Sequence, residues 1–294
     1  PEHKLRIVAP DVGGAFGARE DISLQVHTCL LALRLGRPVR IAYSRAESFL
    51  GHVHRHPAKI WMRHHATFEG EIVKIESRMV LDGGAYASTS SAVLINAVTH
   101  TQGPYRCANA VVDGFAVRTN HLPCGAMRGF GVVQACFAHE SQMDKLAIAT
   151  GIDPVEIRLR NAMRTGDRLI TGQPVLNVAP VDQCIRDTAA LPMPDPPTPG
   201  GRHGATGTVD VMRIPGGAGR TADRSDIVRG VGWGVAIKNL MYSEGFDDYA
   251  TARCRLSNGV ATLKFATAEV GQGFVTIASQ IARTILGVDE VELD

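Results

Sequence analysis

Three glycine-rich turns, each followed by an apolar stretch of helical length, constrain the fold of this chain more than any other feature of its sequence. They lie at residues 11–20, 123–131 and 269–273, and more than a hundred residues separate each from the next. Glycine has no Cβ, so the backbone there can adopt left-handed angles and come close to a bulky neighbour. The helix start behind each turn offers free N–H groups to a ligand. We therefore predict one binding site that is assembled from distant loops.

The middle turn carries the most distinctive side chains. It reads Pro-Cys-Gly-Ala-Met-Arg-Gly-Phe-Gly over residues 123–131, and a helix is predicted over residues 132–149. Arg128 adds a rigid and permanently charged fork of donors. Such a segment suits a large anionic cofactor with a planar substrate beside it. Considered alone, the segment is explained equally well as a tight turn with a solvated arginine.

The first turn reads Gly-Gly-Ala-Phe-Gly over residues 13–17, and a helix is predicted over residues 21–35. It matches neither a P-loop nor the dinucleotide fingerprint, so a nucleotide phosphate is not the expected ligand. Two interpretations stay open. Either Phe16 fills a place in the core and Glu20 is a partner for the helix dipole, or Phe16 and Gly17 offer backbone donors to a ligand while Glu20 faces a pocket.

The third turn reads Glu-Val-Gly-Gln-Gly over residues 269–273. It is predicted to follow a hairpin of two strands, at residues 249–256 and 260–268, and to precede a helix at residues 275–286. Ser-Asn-Gly between the strands is a strong hairpin signal. The amide of Gln272 offers a donor pair and an acceptor, which suits the edge of a heterocycle. The alternative is a solvent-exposed turn glutamine.

The rest of the chain alternates short strands and helices. Further strands are predicted at residues 5–10, 38–42, 58–68, 71–81 and 109–120, and from Gly232 onward. Further helices are predicted after a capping box at Ser44, over residues 92–99, and from Pro154 with Asp153 as its N-cap. This pattern predicts an α+β fold with mixed sheets and packed helices in two subdomains. The predicted bounds are 1–190, a linker rich in proline and glycine over 191–226, and 227–294.

Composition excludes several classes of protein. The net charge of +2, without a basic stripe, gives no indication of nucleic-acid binding, and no apolar run reaches the length of a membrane span. The six cysteines form no C-x-x-C pair, so no zinc site or iron–sulfur cluster is expected in this chain. Their scatter fits a reducing compartment, and we expect a cytoplasmic protein. Histidines crowd positions 52, 54, 56, 64 and 65, and the alternation at 52, 54 and 56 would put those three on one strand face. Surface or core roles explain the five better than a metal site.

The three turns, in this order, resemble the molybdopterin-binding large subunit of the xanthine dehydrogenase and aldehyde oxidase family. The matching motifs are Gly-Gly-x-Phe-Gly-x-x-Glu, Arg-Gly-Phe-Gly and Glu-x-Gly-Gln-Gly, with softer matches at residues 82–86, 103–105, 119–120 and 153–154. The resemblance implies the molybdenum-cofactor-binding fold of that family. It also implies a molybdenum ion on a pterin dithiolene, in the cytosine dinucleotide form, with no protein ligand to the metal.

The resemblance assigns roles to residues of all three turns. The implied cofactor contacts are Gly14, Phe16, Gly17, Arg128, Val270, Gly271, Gln272 and Gly273. The implied catalytic residues are Arg128 and Glu20. The implied substrate contacts are Glu20, Asn96, Phe130 and Trp233. Purine-oxidising members of the family carry an arginine at the position that matches Asn96. An amide stabilises developing negative charge less well than a cation, which weakens the case for xanthine.

The implied reaction is hydroxylation of an electrophilic C–H group in a purine such as hypoxanthine or xanthine, with oxygen from water. Electrons would pass to [2Fe–2S] clusters and FAD on partner subunits, so a hetero-oligomer is expected. The alternatives are an aldehyde or another N-heterocycle as substrate, or a non-catalytic fragment that binds cofactor. Carbon monoxide oxidation is disfavoured, because that branch has a cysteine where this chain has Gly129. The family's glutamate base would lie beyond Asp294, so we expect a partial chain that is inactive alone.

Overall fold

The computed structural model describes residues 6–8, 12–192, 231–239 and 249–293. The helices in these ranges are α1 (Gln25–Leu35), α2 (Arg45–Gly51), α3 (Ser90–Thr99), α4 (Val132–Thr150), α5 (Pro154–Asn161), α6 (Val181–Ala189) and α7 (Phe274–Leu286). The strands are β1 (Ala58–Ala66), β2 (Ile72–Gly84), β3 (Ala110–Arg118), β4 (Ala252–Ser257), β5 (Val260–Phe265) and β6 (Glu290–Leu293). The predicted α+β class is confirmed. None of the described helices combines the length and the apolar character needed to cross a bilayer.

The first sheet has the order β1-β2-β3. The predicted hairpin is confirmed, since β1 and β2 pair antiparallel across a turn at Gly70. β3 pairs parallel to β2, and α3 lies in the connection between them. Side chains from β2, α3 and α4 form one apolar cluster: Met79, Leu81, Val93, Ala97 and Ala135. This cluster places the start of α4, and the glycine turn before it, next to α3.

β2 is longer than predicted. The predicted strand ends at residue 81, but β2 continues to Gly84. A Cβ on Gly84 would lie 2.0 Å from the carbonyl oxygen of Leu122. The backbone amide of Cys124 donates to the carbonyl of Gly83 at 3.1 Å. The glycines therefore let the chain that leads into the middle turn cross the end of β2 at close range.

A second apolar cluster lies under α4 and α5 and consists of Ile72, Ile75, Tyr105, Met143, Ala147 and Ile157. The predicted N-cap is confirmed, because the carboxylate of Asp153 accepts the amides of Val155 at 2.8 Å and Glu156 at 3.0 Å. Beside this cluster, the guanidinium of Arg158 is 1% exposed and lies 2.8 Å from the carboxylate of Glu140. The core of this region therefore contains a buried ion pair.

The second sheet has the order β4-β5-β6. β4 and β5 form the predicted hairpin, with left-handed φ angles at Asn258 and Gly259. β6 pairs parallel to β5, and α7 lies between them in the chain. α7 begins one residue before its predicted start.

Several predicted elements differ from the structure. Residues 38–42 and 231–239 are not strands, and α1 begins at Gln25 rather than at residue 21. Residues 6–8, the described part of the first predicted strand, are also outside any strand. These segments find no ladder partner among the described residues, and apolar composition alone does not supply one. Apart from residues 191–192, the predicted linker lies outside the described residues.

We expect the stability of the fold to fall below pH 6.5 because of His64 on β1. Both of its ring nitrogens are buried and have no hydrogen-bond partner among the described residues. Burial lowers the pKa of His64 from 6.5 to about 4, and the neighbouring His139 and His65 add to the effect. Between these two pH values, His64 is protonated in the unfolded chain but stays neutral in the folded chain. The contribution of neutral His64 to the free energy of unfolding is fully present above pH 6.5. It is lost as the pH falls towards 4, by about 3 kcal/mol in total.

Urea unfolding at pH 7, 5 and 4 measures this decline, with the variant His64→Phe as the control. The variant should lose less stability than the wild type over the same pH range. Equal losses in the two proteins would show that His64 is not the group responsible.

Candidate functional site

The structure brings the three glycine turns together. They are named here the first loop (residues 12–21), the second loop (residues 123–131) and the third loop (residues 268–273). A Cβ on Gly17 would lie 2.9 Å from backbone atoms of Ala126 and Met127. A Cβ on Gly271 would lie 2.5 Å from the amide nitrogen of Gly14. The first loop therefore contacts both of the others through positions where a side chain would not fit.

Phe16 and Arg128 meet at the contact between the first and second loops. The side chain of Phe16 is 64% exposed and its φ is 53°, so its interpretation as a core residue is wrong. The Arg128 guanidinium carbon lies 5.8 Å from the ring centroid, a cation–π arrangement. Within the described part of the chain, no carboxylate or carbonyl accepts a hydrogen bond from this guanidinium. The amides of Phe16 and Gly17 likewise donate to no described acceptor.

Three consecutive residues of the second loop are left-handed: Gly129 with φ 89°, Phe130 with φ 48° and Gly131 with φ 94°. A Cβ on Gly131 would lie 2.2 Å from the carbonyl oxygen of Val93 in α3. The ring of Phe130 is half-buried and packs against the apolar cluster of β2, α3 and α4. The second loop is therefore pressed against α3.

Asn96, which was predicted as a substrate contact, occupies a different place. It lies in α3, is 2% exposed, and its amide nitrogen donates to the carbonyl of Phe130 at 2.7 Å. A buried side chain presents almost no surface to a substrate. The structure therefore gives Asn96 a role in holding the second loop.

Side chains of the third loop satisfy that loop's own backbone. The Glu269 carboxylate accepts the amides of Gly271 at 2.7 Å, Gly273 at 3.2 Å and Val275 at 3.1 Å. These bonds lower the pKa of Glu269. The Gln272 amide accepts from the Val270 amide at 2.7 Å and donates to a carbonyl of the same loop at 2.9 Å. The start of α7 is thus capped from within the chain, and the N–H groups expected to face a ligand are engaged.

Glu20 is exposed at the end of the first loop, next to Asp21. Neighbouring atoms nevertheless shield part of its carboxyl from water, and this partial desolvation, with the negative charge of Asp21 as the second cause, raises the pKa of Glu20. The carboxylate of Asp21 accepts the hydroxyl of Ser88 at 2.8 Å and 2.9 Å. A Cβ on Gly125 would lie 2.6 Å from that hydroxyl. The hydrogen-bonded pair of Asp21 and Ser88 therefore packs closely against the second loop at Gly125.

Trp233 lies away from the three loops. Its carbonyl accepts from Arg158 at 3.0 Å, and it lines a cavity of about 230 Å³ together with Val155 and Ile185. This cavity adjoins the middle of α4, near Glu140, roughly 12 Å along the helix from its start beside Phe130. The structure therefore does not bring Trp233 and Phe130 together as two sides of one pocket.

The histidine cluster does not form a metal site in the described ranges, where no three His, Cys, Asp or Glu residues are grouped for an ion. His54 contacts the carbonyl of Phe49 at 2.7 Å, and His56 contacts the hydroxyl of Ser90 at 2.8 Å. The expectation that they share a strand face is wrong, since residues 52–56 contain only an isolated bridge at His54. These contacts account for the positions of the two rings.

Sequence reasoning missed Glu269, Asp21 and Ser88. A carboxylate just before a helix start is a recognised dipole partner, so the role of Glu269 could have been inferred. No sequence signal joins Asp21 to Ser88, because they lie 67 residues apart.

Comparison with known proteins fits this geometry. A family model described as "Molybdopterin cofactor-binding domain" matches residues 1–162. The chain is 34% identical over 288 residues to a probable xanthine dehydrogenase subunit of Bacillus subtilis (strain 168), covering 98% of this chain and 36% of that protein. It is 42% identical over 177 residues to "Nicotinate dehydrogenase large molybdopterin subunit" of Eubacterium barkeri, covering 60% of this chain and 42% of that protein. The chain thus spans well under half the length of both relatives.

Solved structures give the same result. The aldehyde oxidoreductase of Desulfovibrio gigas superposes with a TM-score of 0.58 at 30% identity, over 60% of this chain and 20% of that chain. The CO dehydrogenase of Oligotropha carboxidovorans superposes with a TM-score of 0.68 at 20% identity, over all of this chain and 37% of that one, which shows likeness of fold alone. With its three loops in contact and its first 162 residues matched by the family model, the chain belongs to the family of molybdopterin cofactor-binding domains.

Proposed function

We propose that the three loops hold the molybdopterin cofactor of a molybdenum hydroxylase. One observation carries the proposal: Arg128 is exposed, stacked on Phe16, and joined to no described acceptor, directly beside the close contact of Gly17 with the second loop. A charged guanidinium and two backbone donors, none of which has an acceptor among the described residues, suit an electronegative group of a ligand. Membership of the cofactor-binding family supports the same conclusion.

Each loop contributes differently to this site. Arg128 binds acceptor atoms of the ligand with its fork of N–H groups, and the amides of Phe16 and Gly17 add two neutral donors. The third loop contributes a rigid backbone against Gly14, because Glu269 and Gln272 fix its shape. Glu20, with its raised pKa, keeps a proton to higher pH than an ordinary glutamate and can donate it to a substrate acceptor. When bound, the molybdenum centre supplies the redox chemistry that hydroxylates an electrophilic C–H group.

The substrate class that we propose is a purine such as hypoxanthine or xanthine, next to the ring of Phe130. Relatives named as xanthine dehydrogenases support it. The second candidate is an aldehyde or another N-heterocycle, in keeping with relatives named for nicotinate and aldehydes. Asn96 favours this second candidate, since a neutral and buried amide supplies no cation at that position for charge that develops on a purine.

The proposal extends to the rest of the enzyme. Iron–sulfur and FAD subunits would take the electrons in a cytoplasmic hetero-oligomer, and the cofactor would be the cytosine dinucleotide form. The subdomain bounds of 1–190 and 227–294 are part of the same proposal.

The variant Arg128→Ala tests the role of the loops. Loss of a charged donor costs about 1.5–3 kcal/mol, so molybdenum content or turnover of the holoenzyme should fall roughly ten- to a hundred-fold. The matched control is Arg78→Ala, since Arg78 lies 5.2 Å above the ring of Phe115 on the first sheet, away from the loops. Molybdenum analysis and turnover of hypoxanthine, xanthine, nicotinate and acetaldehyde are the measurements. Equal effects of the two variants, or none, would contradict the assignment.

A further inference from the structure

Two side chains from outside the second loop donate to carbonyls on either side of Gly129. The amide nitrogen of Asn96 in α3 donates to the carbonyl of Phe130 at 2.7 Å. A guanidinium nitrogen of Arg55 donates to the carbonyl of Arg128. These contacts join positions 34 and 73 residues apart in the chain. The turn that carries both Arg128 and Phe130 is therefore held from two sides.

The backbone of this turn needs such support. A left-handed conformation costs a non-glycine residue roughly 1–2 kcal/mol, and Phe130 has φ 48°. Gly131 has to remain a glycine here, because a Cβ on it would lie 2.2 Å from the carbonyl oxygen of Val93. Val93 and Asn96 lie one turn apart on the same face of α3. α3 thus packs directly against the second loop, and Asn96 supplies the hydrogen bond between the two.

Arg55 adds an observation that packing alone does not explain. Its second terminal nitrogen is buried without a partner among the described residues, and burial lowers the pKa of Arg55. A buried donor without a partner costs about 1–3 kcal/mol. A buried polar group of this kind calls for an explanation, and a role at a functional site is one such explanation.

We propose that Asn96 and Arg55 are positioning residues that fix the ring of Phe130, and with it the choice of planar substrates. This rests on the proposed function of the three-loop site. The ring packs with its inner part against the apolar cluster and can offer only its remaining surface to a ligand. Stacking depends on a defined offset between two rings. If the ring of Phe130 can tilt, it therefore favours planar substrates over non-aromatic ones less strongly.

The test compares Asn96→Ala with the matched control Asn161→Ala in the holoenzyme. Asn161 is also 2% exposed, and its amide nitrogen donates to the carbonyls of Gly70 and Ile157, away from the loops. Loss of stacking geometry is worth about 0.5–1.5 kcal/mol, so Asn96→Ala should raise KM for the preferred planar substrate roughly three- to ten-fold. The kcat/KM for acetaldehyde should change less than about two-fold. Asn161→Ala should lower the Tm and leave the ratio of the two substrates unchanged.

A second measurement reads the ring directly and does not depend on activity. Phe130 is replaced by 4-fluorophenylalanine, and the ¹⁹F resonance of the full chain is recorded with and without Asn96→Ala, Asn96→Asp or Asn161→Ala. The Asp variant keeps the side-chain volume and loses the donor, so it serves where the Ala variant does not fold. Both Asn96 variants should shift or broaden the resonance, and the control should not.

The outcomes separate the two proposals. A resonance that is unchanged by both Asn96 variants overturns the positioning role. A changed resonance supports that role even in a protein that retains no molybdenum, a result that would overturn the proposed function instead. A changed resonance together with an unchanged substrate ratio in an active holoenzyme overturns the link to substrate choice.

Discussion

Replacement of Gly17 by valine is expected to remove the molybdenum cofactor from the holoenzyme. A Cβ at this position lies 2.9 Å from the backbone of the second loop, and backbone atoms cannot move aside as a flexible side chain can. Gly17 also has φ 91°, which a branched side chain tolerates poorly. Clash and strain together exceed about 2 kcal/mol, so cofactor content should fall by more than about ten-fold.

The variant Gly36→Val is the control for this experiment. Gly36 ends α1 with φ 62°, and a Cβ there meets nothing within 4 Å. It therefore imposes backbone strain without a clash between loops. Molybdenum measured per chain should be retained in Gly36→Val and lost in Gly17→Val. Retention in both variants would show that the contact between the first and second loops does not matter for binding.

Replacement of Arg158 by methionine is expected to lower the free energy of unfolding by about 3–5 kcal/mol. Arg158 is 1% exposed and lies 2.8 Å from the carboxylates of both Glu140 and Asp144. Its removal leaves the charge of Glu140 buried beside Tyr105. Burial and the charge of Glu140 raise the pKa of Tyr105, so this hydroxyl stays protonated and donates to Glu140, but it cannot neutralise the carboxylate.

Urea unfolding at neutral pH measures the loss, with Arg160→Met as the control. Arg160 lies on the same helix and forms an exposed pair with Glu156 at 2.9 Å, which contributes about 0.5 kcal/mol or less. The double variant Arg158→Met/Glu140→Leu should recover much of the stability, because it removes the unpaired charge as well. Similar effects of Arg158→Met and Arg160→Met would contradict the importance of burial.

Local signals in the sequence predicted much of the fold. Three of these signals involve only residues that are close in sequence, and each is confirmed. They are the capping box at Ser44, the Asp153–Pro154 helix start and the Asn258–Gly259 hairpin turn. The strands predicted at residues 38–42 and from Gly232 failed, since a strand needs a partner that local composition cannot specify.

Some features of the candidate site could likewise be predicted from the sequence, and others could not. The glycines of the three loops signalled close approach, and the contacts of Gly17 and Gly271 bear this out. The places of Asn96, Trp233 and Gln272 could not be predicted, because each depends on which neighbour its side chain or carbonyl meets in the folded chain. The resemblance assigns Asn96 by its position in the sequence alone, and position does not distinguish a buried amide from one that faces a pocket.

Anomalous scattering at the molybdenum edge, recorded from crystals of the holoenzyme, tests the central claim most directly. If the three loops hold the cofactor, one strong peak will lie next to the first and second loops, within reach of Arg128 and the backbone of Phe16 and Gly17. A peak far from these residues, or no peak in a protein that is active, would contradict the account.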